Sequence, residues 1–478
     1  MTSPAVAQHL IAGELFGDAG KERRNPARPG EVAVLAPVGG TTETDAAIAA
    51  AVDAQSAWAA TPAPVRGAVL LKAAQLLTER KPQIAEDLVR EEGKTRAEAE
   101  GEVGRAIGVF QFFGSLGWAS SGSVFSSGMP NTTVTTRREA LGVVGLITPW
   151  NFPIAIPAWK TAPALISGNA VVLKPAEITP MSATHLAMAL HDAGLPAGVF
   201  NVVHGRGSVV GEALARDPRV AALSFTGSTS VGLQLQQTLG ARRARAQLEM
   251  GGKNGVLVLD DADAKKAANV VAAGAFSLTG QACTATSRVY VTPGVRQAFL
   301  DELTALAGTY VPGDGLDAGT TMGPVVSDAQ LNQDVSAVQD AADAGARLLY
   351  GDASADGLHF APVVATDVAH DSPLATDEIF GPVVAVLDVD DYESGLAAIN
   401  DSPYGLTAGI CTDSLTHSTD FASRVQAGVV KVNRPTSGLD LHVPFGGVKD
   451  SSSNTFREQG HTATEFYTWE KTVYTGIE

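Results

Sequence analysis

One cysteine of the chain lies in a setting that suits nucleophilic catalysis. Cys283 occurs in the stretch SLTGQACTATSRVYV, between a Thr-Gly-Gln turn and a run typical of a strand. A free thiol has a pKa of about 8.5, so it needs a base or a positive environment to act as a nucleophile. A lone cysteine is more often a small buried residue. The chemistry therefore requires partners elsewhere in the chain.

Two residues have the functional groups that such a thiol needs. Glu249 ends an apolar strand and precedes Met-Gly-Gly, where partial burial would raise the pKa of its carboxyl toward that of a general base. Asn151 follows a proline and stands between two aromatic residues, where its amide can donate to an oxyanion. Most asparagines in such settings only close turns. A Cys–His hydrolase is disfavoured, because neither His185 nor His191 has a suitable setting.

Other loops suit a nucleotide. TGSTSVG, residues 226–232, places glycines and hydroxyls at the start of a helix, where free N–H groups and the helix dipole favour a phosphate. Its spacing is not Gly-x-Gly-x-x-Gly, and the near match GRGSVVG has one residue too many. The structural alternative is that these are turn and capping residues. Lys174 and Glu177 flank a proline; they could grip ribose hydroxyls or form a surface ion pair.

The elements that must position these residues follow from hydrophobic periodicity. The first third reads as mainly helical, with helices at 44–60, 64–92 and 97–118. A Ser/Thr-rich loop and an exposed β-ribbon follow at 119–137, and the tail 466–476 alternates like a strand that could pair with this ribbon, in the same or another subunit. From residue 141, β-branched runs alternate with helices, which predicts parallel sheets covered on both faces. The loops after 141–147, 170–173, 220–225 and 245–248 should then face one crevice, because ligands collect at the carboxyl ends of parallel strands.

Composition restricts the remaining possibilities. The 478 residues suggest about three domains, and the net charge of −17 argues against nucleic-acid or anionic-membrane partners. Two cysteines cannot form a disulfide framework, which favours a reducing compartment. The sequence shows no signal peptide, no membrane span and no metal-ligand spacing, so we expect a cytoplasmic protein without a metal.

Taken together, these loops resemble the aldehyde dehydrogenase superfamily over nearly the whole chain. The motifs occur in the family's order: TPWNFP, GNAVVLKPAE, FTGSTSVG, LEMGGK, GQAC, EIFGP and PFGGVK. The resemblance implies an α/β fold with a Rossmann-like NAD(P)-binding domain at 1–121 and 141–248 and a catalytic domain at 249–452. It also implies a bridging β-ribbon at 122–140 and 453–478 that makes homodimers or homotetramers.

The resemblance further implies the reaction. Cys283 would attack an aldehyde to give a thiohemiacetal, and Asn151 and the Cys283 N–H would hold the oxyanion. Hydride transfer to the nicotinamide would then leave a thioester, and Glu249 would activate the water that hydrolyses it. Lys160 and Glu458 match positions that relay the proton from that glutamate in some members. The residues implied to bind the cofactor are Ile147, Thr148, Pro149, Trp150, Lys174, Glu177, Gly211, Phe225, Gly227, Ser228, Val231, Met250, Gly251, Glu378 and Phe380.

Two acids indicate the branch and the cofactor. Glu177 would repel a 2′-phosphate, so NAD should be preferred over NADP, although a flexible glutamate in this family sometimes allows NADP. Glu249 argues against the CoA-acylating branch, which usually lacks this base.

The closest subgroup resemblance is to α-ketoglutaric semialdehyde dehydrogenases, carried by QLEMGGKN, PTSGLDLHVPFGG and REQG…EFYT. Those enzymes usually have arginine where this chain has Ala282 and Val448, and another arginine near Trp118. Because arginine binds a carboxylate in bidentate fashion, these losses weaken the case for a dicarboxylic semialdehyde; Arg434 could compensate.

The predicted pocket is instead apolar. Trp118, Phe112, Phe113 and Leu278 favour an uncharged aromatic or medium-chain aldehyde, unless they are ordinary helix-core residues. The sequence leaves α-ketoglutaric semialdehyde (2,5-dioxopentanoate) as the alternative substrate, and a catalytically silent structural homologue as the alternative of another class. The predicted pocket residues are Phe112, Trp118, Leu278, Ala282 and Thr284.

Overall fold

The computed structural model describes residues 3–18, 20–119 and 122–477. The predicted boundary at residue 121 and the chain ends at residues 1, 2 and 478 lie outside this part. The helices are α1 Thr41–Ala60, α2 Ala63–Glu92, α3 Arg96–Ser115, α4 Ala155–Ile166, α5 Pro180–Asp192, α6 Glu212–Arg216, α7 Thr229–Ala241, α8 Ala264–Phe276, α9 Pro293–Ala307, α10 Asp328–Asp343, α11 Pro373–Thr376, α12 Tyr392–Asn400, α13 Leu415–Arg424 and α14 Ala463–Tyr467.

The strands are β1 Ala5–Val6, β2 His9–Ile11, β3 Glu14–Phe16, β4 Lys21–Arg24, β5 Val32–Ala36, β6 Val124–Phe125, β7 Thr132–Ala140, β8 Val143–Ile147, β9 Ala170–Lys174, β10 Phe200–Val202, β11 Val220–Thr226, β12 Arg245–Glu249, β13 Asn254–Val258, β14 Thr286–Val291, β15 Arg347–Tyr350, β16 Ala355–Asp356, β17 His359–Phe360, β18 Val363–Thr366, β19 Val383–Asp388, β20 Tyr404–Gly405, β21 Thr407–Cys411, β22 Val429–Val432, β23 Val448–Lys449 and β24 Thr468–Gly476.

The first large sheet has seven strands in the order β12-β11-β8-β9-β10-β2-β3. Its strands from β12 to β10 are parallel, and β2 and β3 extend it in antiparallel fashion. Alternate residues of β9 enter two different cores, with Val171 and Leu173 on one face and Ala170 and Val172 on the other. Helices thus cover both faces, which explains why the strand is apolar throughout. The predicted parallel sheet is confirmed.

The register brings the loops of this sheet to one edge. Ile147 is paired with Lys174, Phe225 with Ile147, and Thr226 with Glu249. The carboxyl ends of β8, β9, β11 and β12 are therefore level, and the segments that follow them emerge together.

The second large sheet has the order β15-β18-β19-β14-β13-β21-β22, parallel except for the edge strand β15. Glu249 is the last residue of β12 and Asn254 the first of β13, so residues 250–253 link the two sheets. Cys283 lies just before β14 of the second sheet. The candidate nucleophile and base therefore lie where the two sheets meet.

The N-terminal segment, for which the sequence analysis named no element, contains the strands β1 to β5. Two of them extend the first sheet, and three form a small sheet in the order β1-β5-β4. These strands are short, so their sequences carry too few residues to show a period.

The predicted ribbon is confirmed as a three-stranded sheet in the order β24-β7-β6. The tail strand β24 pairs with β7 of the same chain along its whole length, from Thr468 opposite Ala140 to Gly476 opposite Thr132. Among the described helices, none is both long and apolar enough to cross a membrane.

Candidate active site

Cys283 is presented by a strained turn. Leu278 and Thr279 have φ angles of 56° and 57°, and Gly280 has a φ of 66°, so three successive residues adopt the left-handed conformation. The amide of Asn254 then donates to the Cys283 carbonyl at 2.8 Å. The thiol is partly exposed and lines two cavities that meet beside it.

The surroundings of the thiol favour its neutral form. Protein surrounds it on its other sides, and this burial raises its pKa well above the ordinary value, an effect that the Glu378 and Glu249 carboxylates strengthen. The thiolate must therefore form as the reaction proceeds, with a nearby group accepting the proton.

Glu249 is a buried carboxyl at the end of β12. It accepts hydrogen bonds from the Gly447 N–H at 3.1 Å and from the Ser452 hydroxyl at 3.0 Å. Burial and the neighbouring Glu458 raise its pKa to about 8, against the opposing effect of these two donors and of Lys160. A carboxyl with this pKa can take and release a proton near neutrality, as a general base must.

A buried polar chain extends from Glu249 into the protein. Lys160 forms an ion pair with Glu458 and donates to the Ser224 hydroxyl at 2.7 Å. The Trp159 indole donates to the other carboxylate oxygen of Glu458 at 2.9 Å. The two predicted relay residues are thus brought together, and electrostatic coupling joins them to Glu249.

Asn151 lies on the loop after β8, close to the Cys283 turn. Its side-chain amide nitrogen donates to the carbonyl of Gln281 at 3.0 Å, two residues before Cys283. Its Oδ1 atom is buried and has no hydrogen-bond partner among the described residues. The amide therefore reaches the turn that carries the thiol, as an oxyanion donor must.

The larger of the two cavities, about 720 Å³, could hold the nicotinamide half of a dinucleotide. Hydroxyls from the start of α7 and the side-chain-free backbone of Gly227 and Gly251 lie on one side, where a phosphate and a ribose fit. Glu378 accepts from the Gly252 N–H at 2.9 Å, and burial raises its pKa to about 7. Eight predicted cofactor residues line this cavity: Pro149, Trp150, Gly227, Ser228, Met250, Gly251, Glu378 and Phe380.

Other predicted cofactor residues lie near the end of β9. A Cβ atom at Gly211 would lie 3.3 Å from Ile147 and 3.7 Å from the Lys174 side chain, so these three residues are adjacent. Burial lowers the pKa of Lys174 to about 8. Glu177 is ion-paired with Lys21 of β4 at 2.8 Å, a partner that the sequence did not suggest.

Three further predicted cofactor residues, in addition to the four near the end of β9, do not line the 720 Å³ cavity. Phe225 is buried beneath Gly227, where a Cβ atom would lie 2.6 Å from its ring. Thr148 is buried and its N–H donates to the Lys174 carbonyl at 3.2 Å. Val231 is exposed on α7.

The second cavity, about 450 Å³, reaches Cys283 from the side of α3. Leu278 and Thr284 line it, as predicted, together with Glu249. Helix α3 contributes four residues at helical spacing, Glu98, Gly101, Glu102 and Arg105. The remaining wall is mostly aromatic and apolar: Phe152, Ile156, Trp159, Met250, Leu406, Leu439 and Phe445.

Several predicted pocket residues lie elsewhere. Trp118 follows the end of α3 and is 83% exposed, and Ala282 is buried away from the cavity wall. Phe112 packs edge-to-face on Phe113 and His461 instead of lining the cavity. Arg434, expected to compensate for lost arginines, is exposed and bonds only the adjacent Asn433 carbonyl.

Arg105 is the cavity residue that sequence reasoning missed. Of the described residues that line the cavity, it is the only cation. Its guanidinium lies 5.7 Å from the Trp159 ring centre and donates to the Leu439 carbonyl and to Gln459. Arginine carries five N–H donors, so some remain for a ligand. The signal was the spacing of 98, 101, 102 and 105 on one helix face.

No group of three or more His, Cys, Asp or Glu side chains that could hold a metal ion occurs in the part of the chain that the structure describes.

Comparisons with known proteins give consistent results. A sequence profile described as the aldehyde dehydrogenase family matches residues 17–473. An alpha-ketoglutarate semialdehyde dehydrogenase of Haloferax volcanii is 46% identical over 99% of both chains. A 2,5-dioxopentanoate dehydrogenase of Saccharolobus solfataricus is 44% identical over 88% of both.

Solved structures agree in fold. An E. coli NADP-dependent enzyme has a TM-score of 0.95 at 34% identity, covering 99% of this chain and 98% of that one. An NAD-dependent aldehyde dehydrogenase from Sinorhizobium meliloti also has a TM-score of 0.95, at 33% identity over 99% of this chain and 95% of its own.

Proposed function

Since the chain belongs to the aldehyde dehydrogenase family and is an aldehyde-oxidising oxidoreductase, we propose that its substrate is a carboxylate-bearing semialdehyde, α-ketoglutarate semialdehyde. The relatives named for this activity favour it over the uncharged aromatic or medium-chain aldehyde that the sequence predicted. The sequence argument counted arginines at three positions and did not consider Arg105.

The observation that carries the proposal is the presence of Arg105 in the same cavity as Cys283 and Glu249. A guanidinium matches a carboxylate in charge and geometry. The two acids of α3 do not oppose this, because each is already engaged: Glu102 is paired with Lys94 at 2.6 Å, and Glu98 accepts from the Leu278 N–H at 2.7 Å. The aldehyde end would lie at Cys283 and the carboxylate end toward Arg105.

The residues of the site support a covalent mechanism. The Cys283 sulfur attacks the aldehyde carbon while the carboxylate of Glu249, in the same cavity, accepts the thiol proton, and the oxygen of the thiohemiacetal anion is held by the Asn151 amide. Loss of hydride from the former aldehyde carbon leaves a thioester on Cys283. Glu249 then passes its proton on and takes another from water, which attacks the thioester and releases the acid and the Cys283 thiolate. Lys160 and Glu458 would pass these protons inward.

The hydride acceptor is a nicotinamide dinucleotide, since the family uses NAD or NADP. The cavity with Glu378, Gly251 and the α7 hydroxyls fits its ribosyl-nicotinamide and phosphates, and Lys174 and Glu177 would hold the adenosine ribose. We propose a preference for NAD, because Glu177 places a carboxylate at the 2′ position.

A panel of aldehydes tests the substrate. We expect kcat/KM for α-ketoglutarate semialdehyde to exceed that for hexanal and benzaldehyde by at least about 100-fold, the loss expected when a buried charge finds no partner. In Arg105→Met this advantage should disappear while hexanal turnover persists, and Arg105→Lys should recover part of it. Equal or better turnover of hexanal by the wild-type enzyme would contradict the proposal.

Family membership argues against the catalytically silent homologue that the sequence left as the alternative of another class. The presence of Cys283, Glu249 and Asn151 around one cavity edge counts against it. Cofactor reduction that is lost in Cys283→Ala excludes it, whereas wild-type protein that reduces no cofactor with any aldehyde supports it.

We also propose a division of the chain and an assembly. The two large sheets fit the cofactor and catalytic domains predicted at 1–121 with 141–248 and at 249–452. The three-stranded ribbon exposes apolar side chains, including Val124, Phe125 and Tyr474, that a second copy could cover. The two cysteines are free, which suits a reducing compartment such as the cytoplasm.

A further inference from the structure

We infer that three charged residues before and within α3, Lys94, Glu98 and Glu102, act as positioning residues that hold the Asn151 amide and the Cys283 turn in register. The inference rests on the proposed function of the site. None of these residues belongs to the predicted catalytic set, and two of them line the cavity that leads to the thiol.

The first half of the network fixes the Asn151 loop. Lys94 is fully buried, forms an ion pair with Glu102 at 2.6 Å and donates to the Asn151 backbone carbonyl at 2.8 Å. The other oxygen of Glu102 accepts from the N–H groups of Ile154 and Ala155 at 2.9 and 3.1 Å, at the start of α4. One buried ion pair thus holds the loop at the oxyanion residue and at the helix that follows.

The second half fixes the Cys283 turn. Glu98 accepts from the Leu278 N–H at 2.7 Å, at the first left-handed residue of that turn. Its other oxygen is held by the N–H and hydroxyl of Thr95, at 2.9 and 2.8 Å. Glu98 therefore ties the strained segment to the rigid start of α3.

The arrangement matters because the two loops come from different sheets. Asn151 follows β8 of the first sheet and Cys283 precedes β14 of the second. An oxyanion donor must lie within hydrogen-bond distance of the oxygen that forms on the attacked carbon, so a small relative shift of the loops is costly. Among the described contacts, the start of α3 is bonded to both loops within two helical turns.

The test uses a double variant that removes charge without stranding a buried ion. In Lys94→Met/Glu102→Gln the amide oxygen of the glutamine can still accept from α4, while the bond to the Asn151 carbonyl is lost. We expect the single-turnover rate of cofactor reduction to fall by roughly 10- to 100-fold. The rate of Cys283 alkylation by iodoacetamide should change much less, because that reaction needs no oxyanion donor.

The matched control is Arg90→Met/Glu31→Gln, which removes another largely buried ion pair, 2.6 Å long, at α2. It should lower thermal stability to a similar extent and leave the single-turnover rate unchanged. A Lys94→Arg variant should recover part of the rate. An equal loss in the control, or an unchanged rate in the test variant, would overturn the inference.

Glu98→Gln tests the other arm. Because it loosens the turn that carries the thiol, we expect both the single-turnover rate and the alkylation of Cys283 to change, the latter followed by mass spectrometry separately from Cys411. The same variants are compared a second time by their rates of p-nitrophenyl acetate hydrolysis. This reaction needs the thiol and the oxyanion site but no cofactor, so it does not depend on cofactor reduction. If the wild type hydrolyses this ester but reduces no cofactor, the proposed function fails and the positioning inference is still judged by the ester rates.

Discussion

At the scale of single residues, the main feature of the site is a buried carboxyl, Glu249, whose pKa is higher than in water. Burial and the neighbouring Glu458 together raise the pKa of Glu249 to about 8. Lys160 forms its ion pair with Glu458 and also lowers the pKa of Glu249, but by less than burial and Glu458 raise it. The fraction of Glu249 that can act as a base therefore increases with pH.

The pH dependence of thioester hydrolysis follows. The base form of Glu249 increases as the pH passes about 8, so the rate should rise and level off above that value. The Ser452 hydrogen bond lowers this pKa, so Ser452→Ala should move the profile to higher pH. The rate of thioester hydrolysis at each pH is measured by stopped-flow, as the release of acid from the acyl-enzyme. Ser453→Ala is the control, because the Ser453 hydroxyl accepts from the Leu248 N–H and does not contact Glu249 in the described hydrogen bonds. A shift of the Ser452→Ala profile to lower pH would contradict the role of Glu249 as the base.

Cofactor preference is also a residue-scale property. Removing the Glu177 carboxylate frees Lys21, its partner at 2.8 Å, for a 2′-phosphate. Glu177→Ala should therefore raise kcat/KM for NADP relative to NAD several-fold. Glu22→Ala, on the same strand and paired with Arg24, should leave the ratio unchanged. Steady-state assays with both cofactors measure the ratio of kcat/KM for NADP to that for NAD. An unchanged ratio in Glu177→Ala would show that Glu177 does not contact the ribose.

At the scale of elements, the sequence predicted the sheets better than the pocket. Continuous apolar strands such as 170–174, with loops at their carboxyl ends, predicted that Asn151 and Glu249 lie at one edge of the first sheet. Cys283 precedes β14 of the second sheet and was not part of that prediction. The prediction of the pocket residues depended on knowing which face of α3 points toward the site. Large aromatic residues drew attention to Phe112 and Trp118, whereas the cavity is lined by the first turns, with Arg105. Periodicity alone does not say which end of an amphipathic helix is covered by loops from another sheet.

The sequence analysis predicted a Thr-Gly-Gln turn before Cys283 but not its left-handed conformation. Gly280 has a φ of +66°, and a Cβ atom there would lie 2.1 Å from the Gly381 carbonyl oxygen. Gly280→Ala therefore adds a steric clash to the backbone strain of about 1–2 kcal/mol. Gly345 has a φ of +101° and open space around its Cβ position, so Gly345→Ala adds backbone strain without a steric clash.

We expect Gly280→Ala to lower both the free energy of unfolding and the rate of Cys283 alkylation, and Gly345→Ala to lower only the first. Urea unfolding and alkylation kinetics measure the two effects. Equal alkylation in both variants would show that this turn does not orient the thiol.

At the scale of the whole molecule, the ribbon of β6, β7 and β24 stands apart from the cores. Phe125 is 52% and Tyr474 is 61% exposed, and both strands that carry them are paired to β7. Such apolar exposure on an ordered sheet favours burial against a second copy.

Charge on this ribbon should therefore dissociate the assembly. Phe125→Glu/Tyr474→Lys is expected to give the mass of a single chain in size-exclusion chromatography with light scattering, whereas we expect a dimer or tetramer for the wild type. Leu415→Glu, at an 81% exposed leucine of α13, should keep the wild-type mass. A wild-type protein that already runs as a monomer would contradict the proposed assembly.

The two cavities that meet at Thr226, Met250 and Cys283 have a consequence for how the enzyme could be labelled. Because the thiol lines both cavities, an electrophile that enters through the cavity beside α3 would react with the sulfur and leave the dinucleotide cavity open. A reporter dye attached in this way would stop catalysis, since it blocks Cys283, but would leave dinucleotide exchange intact. The labelled protein would then serve as a fluorescent sensor of dinucleotide concentration.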